Sequence, residues 1–174
     1  YFGSERNGGF AEYTTTPSRN ALAVISDLTD AELATFSCSY STAEGMLTRA
    51  NVPADDTVLI PGASGGVGGA LVQLAKRRGA RVIAMASEAK HHDVAALGPD
   101  KILPRAPKSL PAVLGEEQVT VVADVVGGPY WPSLIDILER GGRYTCSGAI
   151  AGPMVELDLR TFYLRDLTFT GSTV

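Results

Sequence analysis

The chain has 174 residues, 45% of them hydrophobic, which supports one well-buried core and leaves little room for two. A formal charge of -4, with scattered Lys and Arg, argues against a nucleic-acid or anionic-membrane partner, because no basic face is implied. No apolar run reaches membrane-span length, no leader segment is read, and Cys38 and Cys146 sit in unlike contexts that give no disulfide framework. A cytoplasmic protein without membrane or nucleic-acid partners is expected.

In chain order, residues 9–15 and 21–25 read as short strands around Pro17 and Asn20, with no obvious sheet partner in the chain. Thr29-Asp-Ala-Glu32 has the form of a capping box, so a helix is expected to start there, and a second helix is expected over 43–50, closed by Asn51 and Pro53. From Thr57 the period changes. Strand-like runs at 57–61, 81–86, 101–103, 119–126, 142–147 and 167–170 alternate with helical stretches at 67–78, 87–97, 109–114, 132–140 and 159–165. Continuous Val, Ile and Leu strands separated by helices predict an α/β fold, a doubly wound parallel six-stranded sheet of the Rossmann type. Its ligand is expected at the carboxyl ends of the strands, in loops 62–67, 86–90, 125–128 and 147–152.

The first strand runs into Gly62-Ala-Ser-Gly-Gly-Val-Gly68 and then into a helix. A tight turn that opens a helix leaves backbone N–H groups and the positive end of the helix dipole facing out, which suits a pyrophosphate. Ala63-x-Gly65-x-x-Gly68 matches the dinucleotide fingerprint: Gly65 lets phosphates approach the backbone and Gly68 lets the helix pack on the strand. Ser64, Gly65, Gly66, Val67 and Gly68 are therefore candidate cofactor ligands. The second strand ends Met85-Ala86-Ser87 with no carboxylate, and Lys90 lies one turn on. Room at Ala86, the Ser87 hydroxyl and the Lys90 cation favour the 2′-phosphate of NADP(H) over NAD; Glu88 is the residue that would speak for NAD. Taken alone, Ser87 reads equally as an N-cap and Lys90 as a surface charge. His91 and His92 read as solvated.

The runs Gly8-Gly-Phe-Ala-Glu-Tyr13, Cys38-Ser-Tyr-Ser-Thr42-Ala-Glu-Gly-Met-Leu47, Val58 to Gly68, Val72-Gln-Leu-Ala-Lys76, Arg78-Gly-Ala80, Val126-Gly-Gly128, Gly141-Gly-Arg143 and Gly171-Ser-Thr173, in this order and spacing, resemble the medium-chain dehydrogenase/reductase superfamily, in its alcohol dehydrogenase and quinone oxidoreductase branches. The resemblance covers nearly the whole chain. It implies remnant strands of a GroES-like catalytic domain over 1–26, linking helices over 27–56 and a cofactor domain over 57–174. Most of the catalytic domain would lie before Tyr1, and members continue past Val174. It implies a small-molecule substrate, an alcohol/carbonyl or enone/quinone, and a homo-oligomer for the whole enzyme.

Residue by residue, the resemblance sets Thr42 against the nicotinamide, the backbone of Ser147, Gly148 and Ala149 at the carboxamide, Val125 in the loop lining the cofactor, and Arg105 beside the adenosine. Thr42 reads otherwise as a helix-start cap and Gly148 as a strand-end turn. Cys38 falls where zinc-dependent members carry a catalytic zinc ligand, and Zn2+ would need further ligands from the missing region; the other reading is a buried apolar thiol. Other chemistries fail on motif. None of the six tyrosines is followed four residues later by lysine, and there is no Gly-Lys-Ser/Thr. A non-catalytic NADPH-binding sensor or assembly module is the alternative reading, and a methyltransferase is weaker because its cofactor lacks a pyrophosphate.

Overall fold

The computed structural model describes residue 3 and residues 5–173, which fall into two compact units, Tyr1–Asp30 and Ala31–Val174. In the first unit the expected strands at 9–15 and 21–25 do not form; its described residues make turns, an isolated bridge position at Arg6 and a 3-10 turn at Ser18–Asn20. A strand needs a neighbour to take its backbone hydrogen bonds, and among the described residues neither stretch has a sheet partner. Phe10, Tyr13, Leu22, Val24 and Ile25 are exposed.

The second unit is built on a six-stranded, all-parallel sheet: β1 (Thr57–Ile60), β2 (Arg81–Ala86), β3 (Lys101–Pro104), β4 (Val119–Asp124), β5 (Leu138–Cys146) and β6 (Thr168–Gly171). Its order is β3-β2-β1-β4-β5-β6, so the chain reverses direction across the sheet between β1 and β4. This is the doubly wound fold that the strand-helix alternation predicts. Helices α1 (Asp30–Ala34), α2 (Phe36–Arg49), α3 (Gly66–Arg77), α4 (His91–Ala95), α5 (Leu110–Leu114), α6 (Trp131–Asp136) and α7 (Leu159–Leu164) complete it.

Both faces of the sheet are buried, and alternate strand residues feed two separate cores. Val58, Ile60, Val82, Ala84, Val121 and Ala123 pack with Ala43, Met46 and Leu47 of α2 and Leu71, Val72 and Ala75 of α3. Leu59, Ile83, Met85 and Val122 face the opposite core with Leu110, Leu134, Ile135 and Tyr144. At the amino end of the sheet Arg143 donates to the carbonyls of Ala50 (3.1 Å) and Asn51 (2.7 Å) and pairs with buried Asp56, which ties the end of α2 to β5.

Three regions differ most from the sequence reading. Helix α2 begins at Phe36 rather than Ala43, because its serines turn their hydroxyls onto the preceding turn: Ser37 Oγ donates to the Ala34 carbonyl (3.0 Å) and Ser41 Oγ to that of Ser37 (2.6 Å). The expected helix over 87–97 is a 3-10 turn, Glu88–Lys90, followed by the short α4. Helix α6 stops at Asp136 and β5 starts at Leu138, with an irregularity in its pairing to β4 between Val119 and Val121; Gly141, at φ +77°, lies in the stretch that loops out. Among the described residues no helix is long and apolar enough to cross a membrane.

Candidate functional site

The glycine-rich turn follows β1 at the point where strand order reverses. Gly62 takes φ +68°, the Gly65 N–H donates to its carbonyl (3.0 Å), and the Ala63 N–H donates to Met85 (3.1 Å), tying the turn to the end of β2. A Cβ on Gly68 would lie 2.1 Å from the Gly62 carbonyl oxygen, so only glycine lets α3 start this close to β1. Gly66 has a different reason: a Cβ there would stand 2.6 Å from Ser39 Oγ of α2. Gly65 has no steric reason inside the chain. A Cβ there would meet nothing nearer than Gly62 O at 3.4 Å, and its φ of -86° suits any residue.

Helix α3 has no capping side chain and no acidic residue in its first turn among the described residues. Its first N–H groups and dipole are thus available to an anion beside an open Gly65. The residues present therefore fit a pyrophosphate. A recess of about 310 Å³ borders the turn, lined by Ser64, Gly65 and Gly66 and, from flanking helices, by Tyr40, Gln73 and Asp93.

At the end of β2, Ala86 is buried and Ser87 exposed. Ser87 occupies the N-cap position of the 3-10 turn, but its hydroxyl makes no capping bond, so the N-cap reading fails for the side chain. Lys90 Nζ lies 3.3 Å from Asp93 Oδ2, and both side chains are more than half exposed. His91 is not simply solvated: its Nε2 lies 3.2 Å from the Ala86 carbonyl oxygen, against the strand end. Arg105 is exposed in the bend after β3.

The loops after β4 and β5 interlock. Val126 N–H and Gly127 N–H donate to the buried Asp124 carboxylate, Ala151 N–H to Val126 O (2.8 Å), and Gly128 N–H to Gly152 O (3.0 Å). Cβ atoms on Gly127, Gly128 and Gly148 would strike Gly152 O, Ala151 and Val125 O at 2.9, 2.7 and 3.0 Å. The same assembly reaches the glycine-rich turn, since a Cβ on Gly62 would lie 2.9 Å from Val126 Cγ2. Val125, Ser147, Gly148 and Ala149 are thereby brought together beside the turn. A second recess, about 600 Å³, is lined by Ser147, Gly148 and Ala149 with Arg49, Cys146 and Gly171–Thr173.

Arg49 and the β6 end were not among the sequence candidates, nor were Tyr40, Gln73 and Asp93. The signal for Gly171–Thr173 was present, because the rule that places ligands at strand carboxyl ends applies to β6 as well.

Thr42 is buried in the second turn of α2, which removes its reading as a helix-start cap. Cys38 is exposed on the first turn, so it is not a buried apolar thiol. Among the described residues no group of three or more His, Cys, Asp or Glu side chains could hold a metal ion, and Cys38 alone does not make a zinc site.

A doubly wound sheet with an uncapped, glycine-lined helix start at its reversal point defines a dinucleotide-binding domain. The family profile described as zinc-binding dehydrogenase matches residues 66–174, and the chain belongs to that family, within the medium-chain dehydrogenase/reductase superfamily. Among curated proteins it is 29% identical over 172 residues to the acryloyl-coenzyme A reductase of Metallosphaera sedula, covering 98% of this chain and 51% of that protein. Among solved structures, a protein of Sinorhizobium meliloti provisionally named an alcohol dehydrogenase is 50% identical with a TM-score of 0.94, over 99% of this chain and 49% of that one. The quinone oxidoreductase of Thermus thermophilus, solved also with NADPH, is 30% identical with a TM-score of 0.84, over 96% and 55%. The chain spans about half the length of the curated relatives it matches.

Proposed function

We propose that this chain is the NADP(H)-binding domain of a cytoplasmic oxidoreductase that moves hydride between the nicotinamide and an alcohol/carbonyl or enone/quinone substrate. The observation that carries the reading is Gly65: a glycine that the chain's own packing and backbone do not require, facing an uncapped helix start. The bound dinucleotide supplies or accepts the hydride. This chain's residues do the holding.

The first-turn N–H groups of α3, at Gly66, Val67 and Gly68, grip the pyrophosphate with Ser64 and Gly65 at its flank. The Ser87 hydroxyl, unused in capping, and Lys90 hold the 2′-phosphate, with Arg105 adding charge beside the adenosine. An exposed pair such as Lys90–Asp93 contributes about 1 kcal/mol at most, so Lys90 exchanges Asp93 for phosphate at small cost. Val125 and the backbone of Ser147–Ala149 seat the nicotinamide end, and Thr42 lies against it. In the whole enzyme, residues 1–26 are proposed to join a GroES-like domain that shapes the substrate pocket, with 27–56 as the link and 57–174 as the cofactor domain. Cys38 becomes a zinc ligand only if that domain brings others. A homo-oligomer is proposed for that enzyme.

Titration of the protein with NADPH and NADH tests the reading. Tighter binding of NADPH is expected, with Lys90→Ala weakening NADPH about three- to tenfold and leaving NADH unchanged. Equal binding of both, indifferent to Lys90, removes the NADP preference. Binding without hydride transfer by the whole protein favours a non-catalytic NADPH-binding module instead.

A further inference from the structure

Asp124 bonds through its side chain to none of the proposed cofactor contacts, yet that side chain is the most fully engaged near the site. It ends β4 and has no measurable exposure. Its Oδ1 accepts from Val126 N–H at 2.7 Å and Gly127 N–H at 3.2 Å, and its Oδ2 accepts from Gly127 N–H at 3.1 Å and the Tyr144 hydroxyl at 2.8 Å. All these donors are neutral. A buried carboxylate with no cation among its partners is an expensive way to fill a core, and an apolar residue of similar size would serve packing alone better.

The carboxylate instead fixes a backbone. Gly127 and Gly128 sit at φ +59° and +71°, conformations that a free loop would leave readily, and two N–H groups aimed at one carboxylate hold them there. The third donor is immobile. Tyr144 is buried on β5, its ring edge-on to Trp131 (5.7 Å) and Phe169 (5.5 Å). Burial, and then the Asp124 charge, push its phenol far above the ordinary pKa, so it stays a donor. The loop fixed in this way carries Val126, which accepts from Ala151 N–H and packs toward Gly62. Two site loops therefore rest on one side chain, and the first of them abuts the glycine-rich turn.

We propose that Asp124, braced by Tyr144, is a positioning residue: it sets the Val125–Gly128 loop, and through it Ser147–Gly152, in the shape that receives the nicotinamide half of the dinucleotide. This rests on the dinucleotide reading above. The adenosine half depends on other elements, at the ends of β2 and β3, so the two halves should respond differently.

The test measures affinity for NADPH against affinity for its adenosine half, 2′,5′-ADP, or NADH against ADP if NADH binds more tightly. Asp124→Asn should weaken the dinucleotide on the order of tenfold and leave the half-ligand within about twofold; Tyr144→Phe should weaken it about threefold. In the ligand-free protein, amide exchange at Val126 and Gly127 should quicken in both variants while Leu59 and Ile60 of β1 stay protected. Whole and half ligand weakening by the same factor overturns the proposal, as does unchanged exchange at Val126 and Gly127. If Asp124→Asn does not fold, Tyr144→Phe carries both readouts. If the unmodified protein binds neither dinucleotide, the functional reading falls, while amide exchange still decides what Asp124 holds.

Discussion

The loop after β1 and the loop after β4 are neighbours at the sheet's reversal point, and they are held by different physics. The glycine-rich turn is shaped by exclusion: at Gly68 a single added carbon would lie 2.1 Å from a carbonyl oxygen. The β4 loop is close-packed too, at Gly127 and Gly128, but adds attraction, with two N–H groups and a tyrosine hydroxyl drawn to one buried carboxylate. A sterically defined turn is rigid without a ligand and offers its N–H groups at no ordering cost. A hydrogen-bonded loop can be tuned, because weakening one donor changes its shape before the fold is lost.

Gly68→Ala is the largest perturbation on the first side. Backbone cannot yield 1 Å or more there, so we expect about 3 kcal/mol of destabilisation or more, read as a lowered denaturant midpoint. On the second side, Gly128→Ala meets Ala151 at 2.7 Å with φ at +71°, and about 2 kcal/mol is expected in the same assay. Full tolerance of either substitution would contradict the close packing assigned to its loop.

The contrast also explains what could be read in advance. Exclusion leaves a local mark, since Gly62 to Gly68 is contiguous and lies between a strand and a helix, so this half of the site and the parallel sheet were legible. Attraction leaves none: Asp124 and Tyr144 are 20 positions apart and look like ordinary strand residues until β4 and β5 pair. The misreadings have similar causes. Residues 9–15 and 21–25 have strand composition without a partner. The polar run Ser37 to Ser41 looks unlike a helix, yet its hydroxyls are absorbed by carbonyls of the preceding turn. Residues 138–140 continue a helical pattern that Gly141 and Gly142 break into strand.

A smaller effect bears on the cofactor choice. Asp93 borders the turn-side recess and competes for Lys90. Asp93→Asn should tighten NADPH about two- to fivefold and leave NADH unchanged, in keeping with the small strength of exposed pairs. No change for either cofactor would remove Lys90 from the 2′-phosphate site.

The smallest effect concerns the supporting end of β2. Burial alone would raise the Asp100 pKa, but hydrogen bonds from Lys76 Nζ (2.8 Å) and the Val82 N–H (2.7 Å) hold it below the ordinary value. A lowered folded-state pKa gives stability that is present above the unfolded value, about 3.9, and is lost as pH falls through the folded one. The stability gap between the protein and Asp100→Asn should therefore be constant near neutrality and narrow below about pH 4. A gap that widens in acid would reverse the sign.

The most direct measurement is made on Gly65→Ala, by titrating the variant with NADPH and NADH and following its thermal unfolding. The added methyl lies 3.4 Å from its nearest neighbour, at a φ of -86°, so the unfolding temperature should stay within about 2 °C while dinucleotide affinity falls on the order of tenfold or more. Unchanged affinity in a folded variant would contradict the account, because the glycine would then have no ligand to admit.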